Sequence, residues 1–380
     1  MHIYSEYLVS IRTLSVLIDL DSLSQPETRA TISPDGVSVQ VQHHGDVAGV
    51  QLPVTLQSQD RGQLQIPAVP STRLQYRFQI YEEVSSNTDS SAIIPWTAAD
   101  LSDPAELSCR RCDAVIVARG AVKEWKDLPS ENWAEMMDFW HCHKPNEPHA
   151  HDQHTDEKGY AAQDRLTAQR AVGLVNVTSF LLSADDCGNI LSATPSSHAN
   201  SNDKEAILYC ASCNASIGTF DDMTQSYKLA KVSLSLSHHP GGARQSFSAE
   251  LWLSCRLLNA AESQGLRKFT LLSTRLGGAL LIWIFTPDLY ISSSKATLPQ
   301  SIRVAKVLWK YAPSAMDTQG SGLDSQSLSE GEMEMPSFEL KAMEHCLERS
   351  SLLLPEHATH LMGWNVALLQ RFVLEDIGTN

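Results

Sequence analysis

The sequence lacks a long apolar segment. No window holds the ~18 uninterrupted apolar residues that a membrane-spanning helix needs, and the most apolar run, residues 279–285, is far shorter. The first residues carry neither a basic region nor a long apolar region, so no secretory signal is predicted. We therefore expect no membrane association and a location inside the cell, where thiols stay reduced. There, eight cysteines indicate metal binding or chemistry rather than disulfides.

The chain is also poor in basic residues and in familiar catalytic motifs. It has 29 Lys and Arg against 44 Asp and Glu, a formal net charge of −15. A field of this sign repels phosphate backbones, so direct nucleic-acid binding is disfavoured. The sequence has no Gly-rich phosphate loop, no H-E-x-x-H and no G-x-S-x-G, which argues against nucleotide-driven, metalloprotease and serine-hydrolase functions.

Two short cysteine segments resemble each other. One reads Cys109-Arg110-Arg111-Cys112-Asp113 and the other reads Cys210-Ala211-Ser212-Cys213-Asn214. A C-x-x-C spacing lets one tight turn present both sulfurs to one metal ion. Asp or Asn after the second cysteine suits such a turn, because these residues tolerate left-handed backbone. We predict one structural zinc ion bound by four tetrahedral ligands: Cys109, Cys112, Cys210 and Cys213.

The separation of the two segments is unusual. About a hundred residues lie between them, whereas a compact zinc ribbon separates its pairs by ~15–20 residues. The predicted site would be a clasp that joins distant parts of the chain and holds the halves of the molecule as one body. The alternatives are four reduced core cysteines or a redox pair.

The hydrophobic patterns predict an α+β fold in three consecutive regions. Residues 1–100 are expected to form an antiparallel β-sandwich-like domain, with His43 and His44 as an exposed loop pair. Residues 101–225 form a zinc-clasp region with the two C-x-x-C segments. Residues 226–380 combine an antiparallel sheet with helices and carry a flexible, Ser- and Gly-rich insertion at 312–336. Strands are expected, among others, at 173–182, 227–236, 279–286, 289–292 and 304–311, and helices at 249–262 and 337–349.

Two further cysteines are candidate nucleophiles. Cys346 lies in the helix predicted at 337–349, where His345 could raise its thiolate fraction and the neighbouring glutamates would lower it. Cys142 stands beside His143, after an amphipathic helix. A lone cysteine more commonly packs into the core, and Cys187 and Cys255 look structural.

Several motifs follow one another in a specific order. They are the C-x-x-C at Cys109, Leu128-Pro129-Ser130-Glu131-Asn132-Trp133, Trp140-x-Cys142-His143, the second C-x-x-C with Ile217-Gly218, Cys346-Leu347-Glu348, and the closing Trp364-Asn365-Val366-Ala367-Leu368-Leu369. This order resembles the HECT-like ubiquitin ligase family, whose members bind a ubiquitin-conjugating enzyme. The resemblance spans most of the chain.

The resemblance implies a function and a set of partners. It implies that the chain accepts ubiquitin from a ubiquitin-conjugating enzyme and promotes its transfer to protein lysines, in the cytoplasm and nucleus. Cys346, which stands before Leu352-Leu353-Leu354-Pro355, would form the ubiquitin thioester, and Cys142 is the second candidate. The family is also associated with the endonuclease that forms messenger-RNA 3′ ends, which offers a non-catalytic role.

Three functions therefore stay open at this point. The first is a ligase that uses Cys346 covalently. The second is a zinc-clasped adaptor that binds a ubiquitin-conjugating enzyme and needs no cysteine of its own. The third is a chaperone-like binding protein for the messenger-RNA 3′-end processing endonuclease. The protein substrate of a ligase is not indicated.

Overall fold

The computed structural model describes residues 1–81, 93–102, 104–128, 168–193, 205–221, 226–273, 279–296, 300–312 and 330–377. The chain divides into two compact units. Unit 1 comprises Met1–Ile93 and Ala249–Asn380, and unit 2 comprises Ile94–Ser248. This division differs from the three consecutive regions 1–100, 101–225 and 226–380, because strands from the two ends of the chain pair in one sheet.

The described secondary structure is mostly β. In chain order the strands are β1 His2–Leu8, β2 Thr13–Asp19, β3 Arg29–Ile32, β4 Ser38–His43, β5 Asp46–Gln51, β6 Gly62–Leu64, β7 Arg73–Gln79, β8 Glu106–Cys109, β9 Val115–Val117, β10 Glu124–Asp127, β11 Val172–Val175, β12 Ser179–Ser183, β13 Ile190–Ala193, β14 Glu205–Cys210, β15 Ser216–Asp221, β16 Ser226–Ala230, β17 Leu234–Ser237, β18 Lys268–Leu272, β19 Ala279–Ser293, β20 Ile302–Ala312, β21 Glu330–Glu334, β22 His360–Leu361 and β23 Trp364–Gln370. The described α-helices are α1 Ala249–Gln264, α2 Ser337–Ser351 and α3 Leu374–Ile377. The predicted α+β class is confirmed, with a low helix content.

Unit 1 is built on a nine-stranded sheet. Its order is β22-β23-β20-β19-β1-β2-β7, and β18 pairs with both β19 and β21. Strand β19 has 15 residues, so one edge accommodates β18 along its first part and β1 along its last part. The pairing of β1 with β19 places the two ends of the chain in one hydrogen-bonded sheet.

Three cores stabilise unit 1: two lie on one face of this sheet, and the third, which contains Tyr4, Leu308 and Val366, lies on the other. A four-stranded sheet, β5-β4-β3-β6, shares one core with β2, where Leu14, Val16 and Ile18 alternate inward with period two. This is the sandwich expected for the N-terminal residues. Helices α1 and α2 share another core with β18, β19, β20 and β23. Leu347 of α2 is fully buried there, and truncation of such a leucine costs ~2–5 kcal/mol.

Unit 2 contains two separate sheets. One has seven strands in the order β10-β11-β12-β16-β15-β14-β13, and the other has three in the order β17-β8-β9. Phe180 of β12 lies in the interior of the unit and is fully buried. Its ring packs against Trp96 and Trp125, with centroid distances of 6.4 and 5.5 Å.

Some predicted elements are confirmed and others are corrected. The helices predicted at 249–262 and 337–349 form, at Ala249–Gln264 and Ser337–Ser351, and the amphipathic helix predicted before Cys142 lies outside the described residues. The strand predicted at 173–182 is a pair, because the N–H group of Asn176 donates to the carbonyl of Ser179 and closes a turn. The strand predicted at 227–236 is interrupted by a 3-10 turn at Lys231–Ser233, so its two parts join different sheets.

The predicted flexible insertion at 312–336 contains a strand. Its last residues include β21, Glu330–Glu334, which pairs in parallel with β18. Its first residue, Ala312, ends β20. Among the described residues, no helix is both long enough and apolar enough to cross a membrane.

Candidate metal centre

The first cysteine segment forms a tight turn between β8 and β9. The N–H group of Cys109 donates to the carbonyl of Ala114 at 2.8 Å, and the N–H group of Asp113 donates to the carbonyl of Cys109 at 2.8 Å. Asp113 has a φ of 60°, the left-handed conformation that Asp tolerates better than most residues. We call residues 109–114 the first knuckle.

The second cysteine segment repeats this geometry between β14 and β15. Cys210 donates to Ala215 and Asn214 donates to Cys210, both at 2.8 Å. Asn214 has a φ of 55°. We call residues 210–215 the second knuckle. The two knuckles have the same local backbone because the same residue types stand at the same spacing.

The four knuckle sulfurs converge. The Sγ atoms of Cys109 and Cys213 are 3.6 Å apart, as are those of Cys112 and Cys210, and all four lie within 4.8 Å of one another. A disulfide would need ~2.05 Å. Four sulfurs arranged tetrahedrally around one zinc ion, each at ~2.3 Å, are ~3.8 Å apart. The cluster could therefore hold one metal ion, and its donor set and spacing fit zinc.

The exposure of the four cysteines is uneven. Cys109 and Cys210, which end strands β8 and β14, are fully buried. Cys112 is exposed and Cys213 is half-buried. The two sheets thus fix the positions of Cys109 and Cys210. The greater exposure of Cys112 and Cys213 leaves the cluster accessible to an ion from solvent.

The protonation of the thiols depends on their surroundings. Burial raises the pKa of Cys109 to about 12. Burial also acts to raise the pKa of Cys210, but the N–H groups of Cys213 and Ser212 outweigh it and lower this pKa to about 7. The second knuckle therefore offers a thiolate near neutral pH. A bound cation would supply the charge that favours ionisation of the other thiols, so metal binding would release protons.

A segment that the sequence did not single out links the two knuckles. The side-chain amide of Asn189 donates to the carbonyl of Val115 in β9 at 2.8 Å. The carbonyl of Asn189 accepts from the N–H group of Ala211 in the second knuckle, and Gly188 donates to Ile116, both at 2.8 Å. Gly-Asn is a turn signal in sequence, but nothing in it indicates which hairpins the turn contacts.

The centre lies entirely within unit 2. It joins the three-stranded sheet, which carries the first knuckle, to the seven-stranded sheet, which carries the second. The prediction that distant parts of the chain converge is borne out by the sulfur positions. The expectation that the clasp holds the halves of the molecule together is not, because all four cysteines belong to Ile94–Ser248.

Cys346 is far less accessible than a nucleophile needs to be. Its side chain lies in α2 and is 6% exposed, whereas His345 is exposed. Burial, with the nearby Glu250 carboxylate, raises the pKa of Cys346 to about 11, and Arg349 only partly offsets this. Glu250 is held by the N–H group of Gln370 at 2.8 Å and by Arg349 at 3.3 Å. In this conformation the thiol is neutral and covered.

The other cysteines and the histidine pair that the sequence analysis considered differ in their surroundings. Cys142 lies outside the described residues. Cys255 is buried in α1, and Cys187 is half-buried. The expectation of an exposed histidine pair is wrong for His43, which is 4% exposed. Its ring nitrogens are satisfied by the hydroxyls of Ser22 and Thr28, each at 2.9 Å.

The fold and the site define a class of protein: two β-rich units, one of which brings four cysteines from its two sheets together in a cluster that could hold a metal ion. Comparison with known families identifies this class more narrowly. The sequence model of the family described as HECT-like ubiquitin-conjugating enzyme (E2)-binding matches residues 6–366. The chain therefore belongs to this family, as its motifs indicated.

Two curated proteins are similar to this chain. The uncharacterized protein YJR141W of Saccharomyces cerevisiae is 24% identical over 274 residues, covering 72% of this chain and 71% of that protein. The uncharacterized protein C1734.10c of Schizosaccharomyces pombe is 24% identical over 299 residues, covering 73% and 78%. No solved structure matches.

Proposed function

We propose that this protein is a ubiquitin–protein ligase that binds a ubiquitin-conjugating enzyme and promotes transfer of its ubiquitin to lysines of a protein substrate. The observation that carries the proposal is the family match over residues 6–366, which includes most of both units. The family description names binding of the conjugating enzyme, and transfer is the step that such binding serves. A cytoplasmic and nuclear location follows from the same resemblance.

Two routes of transfer are chemically possible. In the first, the Cys346 thiolate attacks the thioester carbonyl of the charged conjugating enzyme and releases that enzyme's thiolate. A lysine amine then attacks the new thioester, and an isopeptide bond forms as the Cys346 thiolate leaves and the amine loses a proton. In the second route the lysine attacks the conjugating enzyme's thioester directly, and the ligase only holds the enzyme and the substrate.

The geometry around Cys346 favours the direct route. A thiol that attacks a thioester must be exposed and at least partly ionised, and Cys346 is buried with its pKa raised to about 11. The covalent route would require α2 to move away from the core that it shares with β23. We therefore propose that the ligase acts through binding.

We also propose that the four-cysteine centre holds a structural zinc ion. Four sulfur donors close a tetrahedral site and leave no open position for a reacting water. The ion's role would be to fix the two sheets of unit 2 against each other. It supplies no step of the transfer chemistry.

The burial of Cys346 also favours a second candidate function without transfer chemistry. In it, the protein is a zinc-stabilised binding protein or chaperone-like adaptor for the messenger-RNA 3′-end processing endonuclease. This candidate predicts that no charged conjugating enzyme is discharged faster in the presence of the protein.

A discharge assay separates these functions. Conjugating enzymes are charged with ubiquitin, and the loss of the thioester is followed with free lysine and the wild-type protein, Cys346→Ala or Cys142→Ala. We expect faster discharge with wild type and the same rate with Cys346→Ala. A reducible ubiquitin adduct on the protein that disappears in one cysteine variant would establish the covalent route at that residue. No acceleration with any conjugating enzyme would refute the ligase function.

A further inference from the structure

An aromatic strip lies on the face of the nine-stranded sheet that α1 and α2 do not cover. Ile282 and Ile284 of β19 belong to the helix-side core, so the alternating Trp283 and Phe285 lie on the opposite face. The ring of Trp283 is 5.7 Å from that of Phe285 and 6.4 Å from that of Trp364 on β23. Phe285 is 41% exposed. Trp283 and Trp364 are half-buried and pack against the core that contains Leu308 and Val366, so Phe285 is the exposed ring of the strip. A partly exposed aromatic surface of this kind can receive an apolar segment of a partner.

Two lysines lie over the rings of this strip. The Nζ atom of Lys268 is 5.1 Å from the Trp283 ring centroid, and that of Lys310 is 4.4 Å from the Trp364 centroid. Lys268 also approaches Glu330 at 4.0 Å. Lys310 forms no ion pair within the described part of the chain. The strip therefore presents apolar rings beside a cation that is available to a carboxylate.

The turn next to Trp364 adds a second, independent observation. Met362 and Gly363 connect β22 to β23 as a two-residue hairpin loop, with φ values of 51° and 78°. Positive φ at both positions favours Asn-Gly, and a large side chain is disfavoured there. Yet Met362 stands at the first position and is 79% exposed. Folding alone does not account for an exposed methionine in a strained turn, and methionine is enriched in protein interfaces.

We propose that Met362, Trp364, Trp283, Phe285 and Lys310 form the surface on which the ubiquitin-conjugating enzyme docks. The proposal rests on the proposed function, which supplies the partner. The methionine and the rings would receive an apolar segment of that enzyme, and the Lys310 ammonium would pair with a carboxylate beside that segment. Charge complementarity favours a partner that carries a carboxylate beside its apolar segment, because Lys310 is exposed and forms no ion pair within the described residues of a chain whose formal net charge is −15.

Two variants test the surface, and each has a matched control. Met362→Asn removes the apolar side chain but suits the turn, and its control is Val69→Asn, since Val69 is an exposed residue of unit 1 at 77%. Lys310→Glu reverses the charge, and its control is Lys341→Glu on the exposed side of α2. A panel of purified ubiquitin-conjugating enzymes is titrated against each variant, and the melting temperature of each is recorded.

We expect each test variant to weaken binding by about tenfold or more, while the controls bind as the wild type does. Met362→Asn should melt at the same temperature as wild type or higher, so that a loss of binding cannot be due to unfolding. Undiminished binding by both test variants would overturn the docking surface and leave the proposed function intact. No binding by the wild type would overturn both. Self-association of the wild type that Met362→Asn abolishes, with binding unchanged, would assign the strip to a second copy and overturn this proposal.

Discussion

Replacing Cys112 with serine should release the metal ion and destabilise unit 2 selectively. Cys112 is the exposed member of the cluster, so serine fits its position and only the ligand is lost. The facing cysteines are 104 and 98 residues apart in sequence, and closing a loop of about 100 residues costs an unfolded chain ~4–5 kcal/mol. The unfolded chain therefore cannot assemble the four-ligand site readily, and the ion binds almost only the folded state.

The preference of the ion for the folded state determines how much stability Cys112→Ser should lose. With free zinc at about a thousand times the dissociation constant, a site present only in the folded state adds ~4 kcal/mol to the free energy of unfolding. Loss of that amount is a large part of the ~5–15 kcal/mol that stabilises a typical domain. All four ligands belong to Ile94–Ser248, so the loss should be confined to that unit.

Metal content and amide hydrogen exchange measure both parts of the prediction. Wild type should carry one metal ion per chain by native mass spectrometry, and Cys112→Ser should carry none. Amides of β8, β9, β14 and β15 should exchange faster in the variant, while those of β1, β19 and β20 keep their protection. Cys187→Ser is the matched control, because Cys187 lies in the same unit but outside the cluster.

Two results would refute this reasoning. One is a full metal complement in Cys112→Ser, which would mean that the four thiols do not form the site. The other is equal loss of protection in both units, which would mean that the centre stabilises more than the unit that contains it.

Three further predictions address other parts of the molecule. Cys346 should react with iodoacetamide only slowly in the folded protein at neutral pH, and its labelling should accelerate as the pH approaches about 11, because burial raises its pKa to that value; fast labelling at pH 7 would contradict its burial. Burial lowers the pKa of His2 from 6.5 to about 4, so the free energy of unfolding in urea should fall by up to ~3 kcal/mol as the pH drops through this interval, and His2→Gln should lack this dependence. Gly218→Ala should destabilise unit 2 by ~1–3 kcal/mol, since a Cβ atom would lie 2.1 Å from the Lys228 carbonyl oxygen. Gly188→Ala, where a Cβ meets nothing within 4 Å, should not.

The four-cysteine cluster could be predicted from local chemistry. The C-x-x-C spacing and the Asp or Asn that follows it specify the backbone of each knuckle without reference to the rest of the fold. The helices at 249–264 and 337–351 were equally visible, because their apolar positions recur with helical period. These features depend on residues close together in sequence.

The features that sequence reasoning missed depend on contacts between distant residues. Strand β1 pairs with β19, and no pattern in residues 2–8 indicates a partner near residue 290. The interruption at Lys231–Ser233 sends two halves of one alternating segment to different sheets, although each half keeps the period of a strand. The burial of Cys346 is set by the packing of α2 on α1 and β23, which its helical pattern allows but does not specify.

The pairing of β1 with β19 affects how the chain can fold while it is being synthesised. A ribosome releases β1, β2 and β7 long before β19, the neighbour of β1, exists, so β1 must wait with an open edge while unit 2 emerges. Unit 2, by contrast, has all four cysteines of the cluster once residue 213 has left the exit tunnel, so the proposed zinc site could form early. A fragment that begins after residue 93 would retain the four-cysteine cluster but lose the strands that complete the sheet of unit 1, so a truncated C-terminal half is a poor choice for studying this protein.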